Sequence, residues 1–252
     1  MKIIFNIATH GNERMGVDVV KEIQKLNIDH SRHNFIFQKA NKKAFELNKR
    51  FIHQDLNRSF PGKKNGNYEE QLAYKLSSTI RSADLVIDIH STTSSSKNTI
   101  IITKLNKITL DYVKSISPKY VLFMKYKKNC ALISQAKVGI AFEYGKDKNK
   151  STIKKTVLGI KRLLNYLEIV DHKIPKSKIK TQYFEVTSTV SSPKGYKIIK
   201  GIKNHNLVKK NQPYAKNKNK KLLATKDFYP ILFGEKEYKD FFGFQSKKLD
   251  IE

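Results

Sequence analysis

Thr9-His10-Gly11-Asn12-Glu13-Arg14-Met15-Gly16 follows directly on the apolar run Ile3-Ile4-Phe5-Asn6-Ile7-Ala8, which reads as a short buried β-strand. An imidazole and a carboxylate three residues apart, in the turn leaving a strand, can point into one small volume. Zinc accepts that pair of donors, and a catalytic zinc site takes three protein ligands plus a water. Taken alone, His10 and Glu13 also suit a local contact in a polar turn. The rest of the chain decides between the two.

Outward from this turn, residues 15–26 predict a helix with Val17, Val20, Ile23 and Leu26 at helical spacing. Phe35-Ile36-Phe37 reads as a second strand and residues 40–49 as a short helix, with His30 and His33 solvated in the connection between. Asn67 and Glu70 form a capping box ahead of a helix whose inner stripe is Leu72, Leu76 and Ile80. Asp84-Leu85-Val86-Ile87-Asp88-Ile89 is a continuous apolar strand of the central-sheet kind, ending at His90-Ser91-Thr92-Thr93. A histidine at the C-terminal end of such a strand stands where α/β sheets bind ligands, and Asp88 is placed to orient it.

A strand over 99–103, a helix near 108–116 and a strand over 120–123 continue the alternation. Val138 through Gly145 is another buried strand, carrying Glu143 at its end. Desolvation raises the proton affinity of such a carboxylate and suits it to general-base work; a buried salt bridge is the competing account. Ser151 is expected to cap an amphipathic helix reaching about Glu168. Past Asp171 the texture changes to short alternating pieces with a Lys/Asn-rich loop at 209–221 and an aromatic tail.

Between the second strand and the Asn67 helix lies Arg50-Phe51-Ile52-His53-Gln54-Asp55-Leu56-Asn57-Arg58, which follows no regular period and stops at Pro61-Gly62. Arg is scarce here, with six among 50 basic residues, yet Arg50 and Arg58 fall in this one stretch. The planar guanidinium matches a carboxylate, and Asn57 adds a donor beside it. A structural pair with Asp55 is the alternative, and His53 reads as surface.

A formal net charge of +28 on 252 residues raises the question of nucleic acid. The charge is mostly Lys, spread through the whole chain with abundant Asn and Ile, and this argues against nucleic acid as the main partner. Cys130 is the single cysteine, which excludes an internal disulfide and suits a reducing compartment. No apolar run has the length of a membrane span, and the first strand is too short for a signal peptide. A cytoplasmic protein without a membrane partner is expected, and a homo-oligomer stays open.

Taken together, His10-Gly11-Asn12-Glu13, Arg50 through Arg58, Asp88 through Thr93 and Gly139 through Gly145 resemble the aspartoacylase/succinylglutamate desuccinylase family, relatives of the zinc carboxypeptidases. Tyr229-Pro230 and Glu235-Lys236-Glu237-Tyr238 resemble that family's tail, and the likeness is weakest over residues 173–225. The resemblance implies an α/β fold with a mixed central sheet flanked by helices over residues 1–172. A small β-rich C-terminal domain, residues 173–252, would cover the active site. It implies one zinc ion per chain on His10, Glu13 and His90, and Glu143 as the base. Arg50 would stabilise the oxyanion, while Asn57, Arg58 and Tyr238 would bind substrate. The implied reaction is hydrolysis of an N-acyl amino acid; a small-peptide metallocarboxypeptidase and a non-catalytic nucleic-acid-binding protein are the alternatives.

One departure stands out. The family's aspartoacylases carry a further Arg shortly before the catalytic Glu, for a second substrate carboxylate. Here Leu132-Ile133-Ser134-Gln135 occupies that region, and Lys128 or Lys137 is left to substitute.

Overall fold

β1 (Lys2–Ile7) leads through the His10 turn into α1 (Met15–Gln24), followed by β2 (Asn34–Lys39) and the short α2 (Lys42–Glu46). This is a computed structural model, and it describes residues 1–93, 97–125, 129–171, 173–175, 177–235 and 238–251. α3 (Tyr68–Arg81) opens on Asn67 with the reciprocal capping box to Glu70. β3 (Leu85–His90), β4 (Thr99–Ile102), α4 (Lys107–Ile116), β5 (Tyr120–Phe123), β6 (Val138–Glu143) and α5 (Lys150–Tyr166) follow. The expected cap of α5 is corrected: Asn149, not Ser151, accepts the N–H groups of Ser151 and Thr152. Asn and Ser cap about equally well, so the position of the turn decides which residue does so.

The C-terminal part is β-rich, with β7 (Gln182–Ser191), β8 (Lys197–Ile198), β9 (Pro213–Lys216), β10 (Lys221–Leu223), β11 (Tyr229–Ile231) and β12 (Phe241–Leu249). Three of these strands extend the central sheet, whose order is β11-β12-β7-β5-β4-β6-β3-β1-β2. β2, β1, β3 and β6 are parallel neighbours, β4 runs antiparallel to β6, and β5 and β7 run parallel to β4. The sheet is therefore mixed. β8, β9 and β10 form a separate three-stranded sheet over a small apolar cluster that includes Val208, Ala215 and Phe228.

Strand alternation sorts the core onto two faces. Ile3, Phe5, Ile7, Ile87, Ile140 and Phe142 pack with Val19, Ile23, Val113, Ile160 and Leu164 of α1, α4 and α5. Ile4, Val86 and Ala141 face the other way, against Ala73 and Ile80 of α3. Each fully buried Ile or Phe contributes about 1.5–3 kcal/mol. For the site, the consequence is the register. Ile7 pairs with Ile89 and His90 with Glu143, so β1, β3 and β6 end side by side on one rim of the sheet. Among the described residues no helix is long and apolar enough to cross a membrane.

Candidate active site

The turn that carries His10 is held from three directions. The Gly11 N–H donates to the Arg50 carbonyl at 3.0 Å. A Cβ at Gly11 would lie 2.2 Å from the Ala44 carbonyl carbon, so the close approach requires glycine. Asp147, in the loop after β6, accepts the Arg14 and Met15 N–H groups at 2.9 and 2.6 Å. That carboxylate caps α1, which has no side-chain cap of its own, and satisfies its positive end.

Glu13 sits between two imidazoles. His10 Nδ1 lies 2.7 Å from Glu13 Oε1 and His90 Nδ1 lies 3.0 Å from Glu13 Oε2. Donor atoms of the three side chains all fall within 4.8 Å of one another, close enough to hold a metal ion. The far nitrogen of each ring meets a second carboxylate: His10 Nε2 is 3.2 Å from Asp55 Oδ1, and His90 Nε2 is 2.8 Å from Asp88 Oδ2. Metal-ligating histidines use this arrangement to fix ring orientation and tautomer. Asp88 is itself held, accepting Thr9 Oγ1 at 2.8 Å and Asn6 Nδ2 at 2.7 Å.

Electrostatics follow from burial and from this chain of alternating charge. Burial alone would raise the Glu13 carboxyl, but His10 and His90 hold it well below the usual carboxylate range. Burial would lower His90, and the Asp88 and Glu13 carboxylates outweigh it and raise it well above the ordinary value. Glu143 is pushed up to about 8 by burial, with Glu13 and Glu235 adding and His90 opposing. Its Oε2 is buried without a hydrogen-bond partner among the described residues, and it faces the cavity.

Asp55 is a hub. It accepts the Asn57 N–H at 2.9 Å and pairs with Arg50 Nη2 at 3.1 Å and, more loosely, with Arg58 Nε at 3.9 Å. The Arg–Asp pairing weighed from sequence is thus present, and it aims both guanidinium groups at the cavity. Asn57 accepts the Leu132 N–H at 3.0 Å, and its Nδ2 lies 3.4 Å from His90 Nε2. Tyr238 stacks on Phe241 with ring centroids 4.2 Å apart, and burial raises its phenol. All eight expected residues, His10, Glu13, Arg50, Asn57, Arg58, His90, Glu143 and Tyr238, line one cavity of about 150 Å³.

His53 is exposed, as expected, at 59% of its side chain. Lys137 does not reach the cavity. It pairs with Asp84 at 3.0 Å beside Leu85 and Val138, at the opposite end of β3 and β6 from His90 and Glu143. Lys128, the other candidate second anchor, lies outside the described residues, as do Lys236 and Glu237 of the tail motif.

Besides Asp147, two carboxylates escaped the sequence reading. Glu235 lines the cavity and accepts the Thr92 hydroxyl at 2.5 Å, the Thr93 N–H at 3.0 Å and the Thr93 hydroxyl. Glu69, fully buried, accepts the N–H groups of Ile52, His53 and Gln54 at 2.7, 3.0 and 3.3 Å, and so shapes the loop that carries Arg50. A signal for Glu69 existed: it falls on the same helical stripe as Ala73, Ser77 and Ile80.

Fold and cavity together define an α/β protein built on a mixed sheet, with a His-Glu-His donor cluster on its rim. Residues 2–167 match the family model described as succinylglutamate desuccinylase/aspartoacylase catalytic domain, and the chain belongs to that family. A probable aspartoacylase from Nostoc is 31% identical over 208 residues, which cover 74% of this chain and 71% of that protein. One from Trichodesmium erythraeum is 33% identical over 155 residues, 54% of this chain and about half, 53%, of its own length. The crystal structure of murine aminoacylase 3 shares the fold, with a TM-score of 0.83 at 17% identity over 99% of this chain and 95% of that one.

Proposed function

We propose that the protein hydrolyses the amide bond of an N-acyl amino acid, releasing a carboxylate and a free amino acid, with one zinc ion per chain. The observation that carries this reading is Glu13 bridging the Nδ1 atoms of His10 and His90, each ring backed by its own carboxylate. Two imidazoles and one carboxylate are a donor set that fits catalytic zinc. When bound there, zinc supplies Lewis-acid activation of water and of the scissile carbonyl.

The chain's own residues do the rest. Glu143, with its raised proton affinity and an oxygen unpaired among the described residues, takes a proton from water as the new C–O bond forms. It then gives that proton to the leaving nitrogen as the C–N bond breaks. Arg50, oriented by Asp55, stabilises the negative charge that develops on the carbonyl oxygen. Asn57 and Arg58 grip the α-carboxylate, and Tyr238 closes over it. Residues 1–172 thus supply the ligands and the base, while 173–252 supply the cover. The names of the relatives, aspartoacylase, succinylglutamate desuccinylase and aminoacylase, support acyl-amino acid hydrolysis. The lone Cys130 suits a cytoplasmic setting.

Metal analysis of the purified protein followed by a hydrolysis screen of N-acyl amino acids tests the reading. Stoichiometric zinc with release of free amino acid is expected. A protein without bound zinc that retains nucleic acid through purification would overturn it in favour of the binding alternative.

A further inference from the structure

We propose that the amino acid released by this site carries a neutral, apolar side chain, seated on a wall formed by Ala141 and Ile101. The proposal rests on the hydrolytic reading above and names its substrate class. Protonation of the leaving nitrogen by Glu143 requires the two to come within hydrogen-bond reach. The carbon attached to that nitrogen bears the side chain, which must therefore lie against whatever flanks Glu143. Two residues back along β6, on the same face, is Ala141. β4 runs antiparallel beside it and places Ile101 opposite Ala141. Met124, Ile133, Leu232 and Phe244 carry the wall further round the cavity.

This surface is hydrocarbon, and among the described residues it offers an acidic side chain no cation of its own. Among the described residues the cations lining the cavity are Arg50 and Arg58, both gathered at Asp55 and both engaged by the reacting carbonyl and the α-carboxylate. Glu13, Glu143 and Glu235 also line the cavity. A second substrate carboxylate would be stripped of water against this wall without a partner among the described residues, an arrangement that folding and binding both avoid. Lys137 cannot relieve it, being tied to Asp84 at the other end of the sheet. Ala141 is small, so the wall leaves depth for a branched or aromatic side chain in place of methyl.

The test compares kcat/KM for N-acetyl-leucine, N-acetyl-methionine and N-acetyl-phenylalanine with N-acetylaspartate and N-acetylglutamate, using the zinc-loaded protein. Calorimetric titration with free leucine and free aspartate gives a readout that does not depend on turnover. We expect the neutral substrates to be preferred by at least about tenfold, and leucine to bind more tightly than aspartate by a similar factor. Ala141→Arg is expected to reverse the order by placing a cation on the wall, whereas Ala141→Leu should weaken N-acetyl-leucine and bring no gain for N-acetylaspartate. An equal or better kcat/KM for the acidic substrates overturns the proposal. If no N-acyl amino acid is hydrolysed, the hydrolytic reading itself fails, and the titration still judges the wall: leucine ahead upholds it, aspartate equal or ahead overturns it.

Discussion

The Glu235 carboxylate accepts the Thr92 hydroxyl at 2.5 Å, which fastens the segment that carries Tyr238 to the loop leaving the His90 strand. The two residues are 143 positions apart in sequence. Further bonds from the Thr93 N–H and hydroxyl make this a charge-assisted clamp at the mouth of the cavity. Glu235→Ala should free that segment while leaving His10, Glu13 and His90 in place. Hydrogen bonds to a charged group are worth about 1.5–3 kcal/mol each, so KM is expected to rise about tenfold or more with zinc content unchanged. Steady-state kinetics with parallel metal analysis checks this, and an unaltered KM would confine Glu235 to a structural role.

The backing carboxylates make a graded prediction about the metal. His90→Ala should abolish zinc binding and activity together. Asp88→Asn keeps the ring but weakens the partner 2.8 Å from its Nε2, and zinc affinity should fall about 10–100-fold. Competition with a chromophoric chelator measures both. Parent affinity in Asp88→Asn would show that the buried Asn6-Thr9-Asp88 network serves folding alone.

Glu143→Gln separates binding from chemistry. The amide has similar size and removes only the proton acceptor, so zinc and substrate affinity should persist. Turnover should fall by about 10²–10⁴-fold. Hydrolysis at the parent rate would take Glu143 out of the mechanism.

How much of this was legible follows from where the information lay. The strands ending at His90 and Glu143 could be read because a continuous apolar run that stops at a polar residue marks a buried strand meeting the rim of a sheet. The extension of that sheet by β7, β12 and β11 could not be read. Its pairing joins Tyr120 to Gln182 and Tyr229 to Ser246, and half-buried strands such as β7 look alike in a separate sheet or at the edge of a large one. Glu235 was hidden for a related reason. In the charged stretch Glu235-Lys236-Glu237 nothing local distinguishes a solvated carboxylate from one that clamps a distant threonine. The cluster of Asp55 with His10, Arg50 and Arg58 was half visible, since the Arg–Asp pairing was readable and its third partner was not.

The two arginines should separate kinetically. A carboxylate grip exists in the ground state and the transition state alike, so Arg58→Ala should mainly raise KM. The partner of Arg50 carries full charge only transiently, so Arg50→Ala should mainly lower kcat. Arg50 also pairs with Asp55 at 3.1 Å, and thermal melts of both variants are needed to show that the fold survives. Finding the two effects exchanged would mean the roles are reversed.

The last prediction concerns the stability of the fold. His205 stacks on Tyr120 with ring centroids 3.6 Å apart and planes 2° from parallel, and its Nε2 is buried without a hydrogen-bond partner among the described residues. Burial, with the Lys119 ammonium adding, pushes its pKa down to about 4. The folded state therefore prefers the neutral ring. Its contribution is complete above the unfolded value of about 6.5 and is lost as pH falls from there toward 4, because over that window the unfolded chain binds the extra proton. Between pH 7 and pH 5 this amounts to about 2 kcal/mol. His205→Phe keeps an aromatic ring against Tyr120 and removes the titration. Urea unfolding of both proteins at the two pH values should show the variant losing about 2 kcal/mol less than the parent on acidification. Parallel losses in the two proteins would mean that His205 is protonated without penalty in the fold.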